Sequence, residues 1–496
     1  MKKEDLLEQK KTPYIDAYKK YIDEKNTCFD VPGHHQGNIK TDFDKIFPHA
    51  VYERDINCPR GLDNLLHPTG CIKEAEELFA KACGAKKARF LINGSTSGIL
   101  IMLMSTLKAY QKILLPRNVH KSVINGLILS GAVPVFLMPE IDEETEIVNQ
   151  PTYKDWKKAI DQNPDARAIF VINPTYFGAT GDLKRIVSYA HSKGIVVLCD
   201  EAHGAHLYFS NKLPISAMAA GADMSTLSVH KTGGSLTQSS VLLINTDRVS
   251  DYELNKAYNL LNSTSPSSLL LASLDGARKY LVFHGSEKIC HSVKLAKAAI
   301  DEINQIPGFK AHGKDYFVKH EAYDFDRTKV VLEIENLSIN GFDLYKILKD
   351  EYFIQVELAE TYVILLLFTI GTRAKDVDKL VAALKKISSN YYVDNVVYPE
   401  HHFQKHIPEL VIRPREAFHS ELKIVSLDDA LNCISKEMIM TYPPGIPLII
   451  PGERFSREII DQIKHYKSTG VTLFSDFESA DKVSVVDEDN SIFYKK

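Results

Sequence analysis

Two apolar runs in this chain end in side chains that can do chemistry. "IVVLCDEAHGAH", residues 195–206, runs into Asp200, Glu201 and His203, and "MSTLSVHKTGG", residues 224–234, runs into Ser228, His230 and Lys231. A carboxylate at the end of a buried strand is costly unless a cation meets it. A lysine in such a place is poorly explained as surface and can act as a nucleophile towards a carbonyl. Two further segments add to these. "NGSTSG", residues 93–98, follows a strand-like run and opens a helix-like one, so Ser95, Thr96 and the helix start can donate to an anion. "PRNVHKS" sets His120 just after another strand-like run. Taken singly, each has an ordinary structural explanation: an N-cap turn, an exposed histidine, a paired acid.

The letters Asp-Glu-Ala-His also occur in ATP-dependent helicases, where the acids hold magnesium. That reading requires a phosphate loop, GxxxxGK[ST]. The nearest match, "GFKAHGKD" from Gly308 to Asp315, ends in a carboxylate where a hydroxyl should meet magnesium, and it follows the acidic pair instead of preceding it. It reads as a glycine-containing turn between a helix and a strand. No metal is expected. One ligand accounts for all four features together: pyridoxal 5'-phosphate. Its phosphate needs small donors at a helix start, its aldehyde a lysine for a Schiff base, its ring a stacking partner, and its pyridine nitrogen an acid that keeps it protonated. The order of phosphate segment, aromatic residue, Asp200 and Lys231, with 31 residues from Asp200 to Lys231, supplies them in one domain.

The elements that must position these groups alternate in type. "ARFLIN", "KILLP", "AVPVFLMP", "ARAIFVINP", "IVVLCD" and "MSTLSVH" read as short buried strands between residues 88 and 230. In "GDLKRIVSYAHSKG", Leu183, Ile186, Val187 and Ala190 share one helical face, with Gly194 as the stop. The pattern predicts an α/β domain with a largely parallel sheet, whose ligands lie beyond the carboxyl ends of the strands. Beyond about residue 290, "HSVKLAKAAIDEINQI" reads as an amphipathic helix, and "KVVLEIE" and "FIQVELAETYVILLLFTI" as strands of a smaller α/β domain. Proline thickens from about residue 395, and "YPPGIPLIIPGE" stands in a C-terminal unit. The expected division is 1–288, 289–394 and 395–496.

Composition narrows the function classes. The 496 residues are 44% hydrophobic with a net charge of −4, and no basic patch argues for nucleic acid. The longest apolar run near the front, Ile99 to Met104, is far short of the about 20 residues that span a membrane. The start, "MKKEDLLEQKKTPY", lacks the apolar stretch of a signal peptide. Seven scattered cysteines without a CxxC suit reduced thiols, so a cytoplasmic enzyme with no membrane partner is expected.

The chain resembles the fold-type I, pyridoxal-phosphate-dependent Orn/Lys/Arg decarboxylases. The resemblance is carried by "VPGHHQG" (31–37), "LDNLLHPTG" (62–70), "NGSTSG", "PRNVHKS", "NPTYFG" (173–178), "DEAHGAH", "SVHKTGGSLTQSS" (228–240), "STSPSSLLLASLD" (263–275) and "YPPGIPLIIPGE". It spans nearly the whole chain, and within the family it is similar to the short, biosynthetic arginine decarboxylases. The resemblance implies an aspartate-aminotransferase-like large domain, a small α/β domain and a C-terminal α/β domain. It implies that Lys231 carries the cofactor, Asp200 meets the pyridine nitrogen, His120 stacks on the ring and His203 sits against its face. Ser95, Thr96, Ser228 and His230 would surround the phosphate or Schiff base, with Thr175 near the ring hydroxyl. Sites in the family form between subunits, so Ser265 in "STSPS" is expected to reach a neighbour's phosphate in a homodimer or higher oligomer. The chain departs from the family at His35, where lysine is frequent, and at Asn64 in "LDNLLH".

The implied reaction is decarboxylation of a basic L-amino acid. Arginine, giving agmatine for polyamine synthesis, is the first expectation; lysine or ornithine, giving cadaverine or putrescine, is the alternative. Asp63 and Glu453 are the expected carboxylates for the substrate's distal cation, because a guanidinium binds a carboxylate through two parallel hydrogen bonds. An aminotransferase would share every cofactor residue and would need an arginine such as Arg373 for the α-carboxylate. A regulatory homologue would have lost Lys231.

Overall fold

The structure is a computed structural model that describes residues 3–142, 145–396, 406–441, 446–468, 472–477 and 480–494. Backbone contacts divide it into two compact units, residues 1–105 with 198–289, and residues 106–197 with 290–496.

The first unit holds Lys87–Leu91, Met224–Leu227, Ser240–Ile244 and the end of Val196–Asp200. Met224–Leu227 runs parallel to Val196–Asp200, with Asp200 opposite Thr226. Ser240–Ile244 is antiparallel to both Met224–Leu227 and Lys87–Leu91. It is a strand that the sequence reading did not mark. Every one of its residues is buried, so it lacks the alternation that betrays a half-exposed strand. "MSTLSVH" is shorter as a strand than expected. It stops at Leu227, and Val229–Thr232 makes a helical turn closed by the Lys231 amide on the Ser228 carbonyl at 3.0 Å. Arg278, fully buried, pairs with Asp275 at 2.9 Å and donates to the Gln9 carbonyl, fastening the N-terminal segment to the helix Ser268–Tyr280.

The second unit has Lys112–Pro116 parallel to both Val133–Leu137 and Ala168–Ile172. The helix Leu183–Ser192 buries Leu183, Ile186, Val187 and Ala190, the face expected, and Gly194 takes φ +73°. The smaller α/β domain is an antiparallel sheet in the order Leu358–Ala359, Val363–Leu367, Lys329–Ile334, Phe309–His312. Its core includes Leu332, Ile364, Leu344 and Leu384 from strands and helices. "GFKAHGKD" is Gly308 at φ +90°, that edge strand, and the N-cap Gly313 of Lys314–Lys319, with no phosphate loop. Among the described residues, the C-terminal part has two small antiparallel sheets around Ile439, Ile449, Phe455, Ile460 and Val483. Of "YPPGIPLIIPGE", residues 442–445 lie outside the described residues; the rest forms Ile446–Ile449 and a turn at Gly452. A Cβ on Gly452 would stand 2.1 Å from the Ile412 carbonyl oxygen, and φ there is +95°, so only glycine fits.

That turn delivers Glu453 to Arg117, which follows Lys112–Pro116. The guanidinium gives Nη1 to Oε1 at 2.7 Å and Nη2 to Oε2 at 2.9 Å, with side-chain exposures of 4% and 0%. Nη2 also reaches the Leu448 carbonyl, and the Ile450 amide completes the carboxylate. Removing one partner strands a buried charge. Arg117→Ala should therefore lower stability by about 3–5 kcal/mol, whereas Arg117→Met with Glu453→Leu should recover most of it. Urea unfolding of the three proteins checks this; a single variant as stable as wild type contradicts it.

Candidate active site

In the first unit, the helix Gly94–Thr106 starts directly after Lys87–Leu91. Gly94 takes φ +70°, and the Ser97 hydroxyl donates back to its carbonyl at 2.8 Å. Gly98 sits against Met224–Leu227. A Cβ there would stand 2.1 Å from the Thr226 hydroxyl oxygen and 2.8 Å from Leu91, so a larger residue would push the helix start off the strand. This close approach brings two expected phosphate groups together: the Ser228 hydroxyl donates to the Ser95 hydroxyl at 2.8 Å. Thr96 is exposed on the first turn beside them. The first amides of a helix have no partner within it, so hydroxyls and amides gather here as an anion cradle. The Thr226 hydroxyl oxygen behind it is buried without a hydrogen bond.

Lys231 and His203 also meet, with Nζ 2.9 Å from Nε2. Asp200 ends its strand at 7% exposure and accepts the Ala202 amide at 2.9 Å. Burial raises its carboxyl above the usual range, opposed by that amide and by the nearby Lys231 charge. The neighbouring acid does something else. Glu201 accepts the Ser225 hydroxyl at 2.7 Å, the Ala217 amide at 2.8 Å and the Tyr208 hydroxyl. It ties three segments together and is wholly buried. His230 turns Nδ1 to the Ser239 carbonyl at 3.0 Å, so that nitrogen carries a proton, and burial lowers the ring's pKa. Ser265 lies exposed in the loop before Ser268–Tyr280, within 3.5 Å of the Asn57 amide nitrogen.

Two of the expected residues belong to the second unit. His120 is the N-cap of Lys121–Ser130, its Nδ1 accepting the Ser122 amide. Thr175 is buried in the turn after Ala168–Ile172; its hydroxyl accepts the Ala179 amide at 3.0 Å, and its carbonyl accepts Lys329 Nζ at 3.3 Å.

The structure gives both carboxylates expected for the substrate's distal cation partners within the chain. Glu453 is wholly buried and bonded to Arg117 and the Ile450 amide. Asp63 accepts the amides of Asn64, Thr69, Gly70, Ile72 and Lys73, folding its own loop and capping Cys71–Cys83. Nothing local in the sequence marked Arg117 as the partner 336 positions away. The aminotransferase candidate Arg373 is the exposed N-cap of Ala374–Tyr391, held by Asp376. Among the described residues no group of acids, histidines and cysteines could hold a metal ion, and no helix is long and apolar enough to cross a membrane.

The family model for the Orn/Lys/Arg decarboxylase major domain matches residues 12–376, and that for the C-terminal domain matches 398–478. An arginine decarboxylase of Bacillus subtilis is 40% identical over 92% of this chain and 94% of its own length. One from Halalkalibacterium halodurans is 40% identical over 94% and 95%. Among solved structures, the Francisella novicida lysine decarboxylase LdcF superposes with a TM-score of 0.82 at 21% identity, covering 96% of this chain and 81% of that one. With both of its parts matched, the chain belongs to the Orn/Lys/Arg decarboxylase family.

Proposed function

We propose that this chain is a pyridoxal-phosphate-dependent carboxy-lyase that converts L-arginine to agmatine and carbon dioxide. The observation that carries the chemistry is the Lys231–His203 pair beside a buried Asp200, with the Ser95–Ser228 cradle in the same unit. The residues present fit the cofactor. Lys231 would hold it covalently, and Ser95, Thr96 and Ser228 would take its phosphate. A protonated pyridine nitrogen is the cation that the desolvated Asp200 carboxylate calls for. The roles of His120, His203, His230, Thr175 and Ser265 rest on the family resemblance, as does the three-domain division. Bound there, pyridoxal phosphate supplies a sink for the electrons left when the carboxylate departs. Asp200 keeps the ring nitrogen charged. His203 and Lys231 share a proton across 2.9 Å and can return one to Cα.

Arginine is preferred over lysine and ornithine because the arginine decarboxylases named above match at 40% over more than nine-tenths of the chain. The exposed, capping Arg373 argues against an aminotransferase. The oligomer belongs to the same proposal, supported by the exposed Ser265 segment and by apolar groups near the N-terminus such as Phe29 and Ile46. A cytoplasmic setting suits seven unbridged cysteines.

Turnover of arginine, lysine and ornithine side by side should give agmatine and carbon dioxide fastest from arginine; far faster turnover of lysine or ornithine overturns the substrate, and a keto acid product overturns the reaction. Asp200→Asn keeps the shape and removes the charge, so kcat should fall on the order of 10²-fold, a barrier increase of ~2.7 kcal/mol; a fully active variant would sink this role. Mixing inactive Lys231→Ala with an inactive Ser265 variant should restore activity if sites are shared between subunits. No recovery after verified subunit exchange counts against sharing.

A further inference from the structure

In the first unit, residues 235–239 join the helical turn that carries Lys231 to the buried strand Ser240–Ile244. None of them is among the expected cofactor residues, yet they bond to the segments that carry those residues. The Leu236 amide donates to the Ser273 hydroxyl at 3.1 Å, on the helix that follows the Ser265 loop. The Ser239 carbonyl accepts His230 Nδ1 at 3.0 Å, and His230 directly precedes Lys231. The Gln238 carbonyl accepts the Gly94 amide at 2.8 Å, at the start of the helix that carries Ser95 and Thr96. The Gln238 side chain acts in the same direction: Nε2 donates to Asn93 Oδ1 at 3.1 Å. Two successive carbonyls thus hold the anion cradle and the lysine turn to one short piece of backbone.

That backbone is held in an unfavourable shape. Gln238 takes φ +78°, in the left-handed region, where its Cβ crowds the carbonyl oxygen. Such strain persists where the surroundings enforce it. On one side, the Ser239 hydroxyl donates to the Ser235 hydroxyl at 2.6 Å and the Ser239 amide to the Leu236 carbonyl at 3.1 Å, closing a tight turn. On the other, the antiparallel register sets Ser240 opposite Leu91. Continued by two residues, that register brings Gln238 to Asn93. The first amides of a helix find no carbonyl within it. Gly94 gives its amide to Gln238, which fixes the direction of the first turn, and the amides that follow point to where an anion can sit.

We propose that Gln238 is a positioning residue for the cofactor phosphate. Its carbonyl and its side-chain amide hold the turn at Asn93 and Gly94, so that the helix start and the Ser95 hydroxyl meet the phosphate at a fixed distance from Lys231. The proposal rests on the reading of a pyridoxal-phosphate enzyme. Without this hold the first turn samples more directions, and the phosphate must order it on binding, which costs affinity. The effect is confined to ligands that carry the phosphate. Pyridoxal has the same ring and aldehyde and makes no use of the cradle.

Equilibrium dialysis of the full-length chain with pyridoxal 5'-phosphate, and separately with pyridoxal, reads this role without reference to turnover. Gln238→Gly keeps the carbonyl, suits the positive φ and removes the side chain, so it should fold. Asn93→Ala removes the partner and leaves residue 238 untouched. Each should weaken pyridoxal 5'-phosphate about three- to tenfold, the worth of one hydrogen bond, and leave pyridoxal unchanged. The double variant should lose no more than either single one, because both break the same bond. Unchanged affinity for pyridoxal 5'-phosphate in either single variant overturns the proposal. So does an equal loss for the two ligands, which marks a loosened fold, and so do losses that multiply in the double variant. A wild-type chain that binds neither ligand refutes the proposed function and this role with it. A wild type that binds pyridoxal 5'-phosphate no more tightly than its variants refutes this role alone.

Discussion

The buried pair of Arg117 and Glu453 is the constraint on which the second unit depends. The fork of the guanidinium spans both carboxylate oxygens, Nη2 also donates to the Leu448 carbonyl, and the Ile450 amide donates to the carboxylate. Burial alone would push the Glu453 carboxyl up; Arg117 and the Ile450 amide oppose it. The pair locks the loop after Lys112–Pro116 to the turn at Gly452. Asn118 and His120 leave that loop within three residues, so their directions follow from it. An apolar pair could hold the same two segments with less desolvation cost, but it would not select one register so sharply.

Five acids show how surroundings assign work to one chemical type. Asp63 meets backbone amides and shapes a loop. Glu201 meets two hydroxyls and an amide and holds segments together. Glu453 meets an arginine and is inert. Asp200 meets one amide and a lysine charge, too little for a carboxylate so deeply buried, which suits it to a cofactor's cation. Glu360 lines an apolar cleft, and burial first, then the Glu146 charge, raise its carboxyl to about 8. Desolvation is common to the buried ones, and the identity of the partner decides between structure and chemistry.

The sequence by itself determined the local elements and the group of candidate cofactor residues. Those signals are short in range: an apolar face at helical spacing in Leu183–Ser192, a glycine-serine segment between strand and helix, a lysine after an apolar run. The α/β class and the decarboxylase family were legible for that reason. Tertiary structure decided what each carboxylate meets. Asp63 and Glu453 look like substrate acids in isolation, because acidity and a rigid loop are visible in sequence. Whether an arginine 336 positions away consumes the charge is not. Glu146 and Glu360, 214 positions apart, carry no motif at all; only folding sets them along one cleft, where burial first and then the Glu146 charge raise the Glu360 carboxyl.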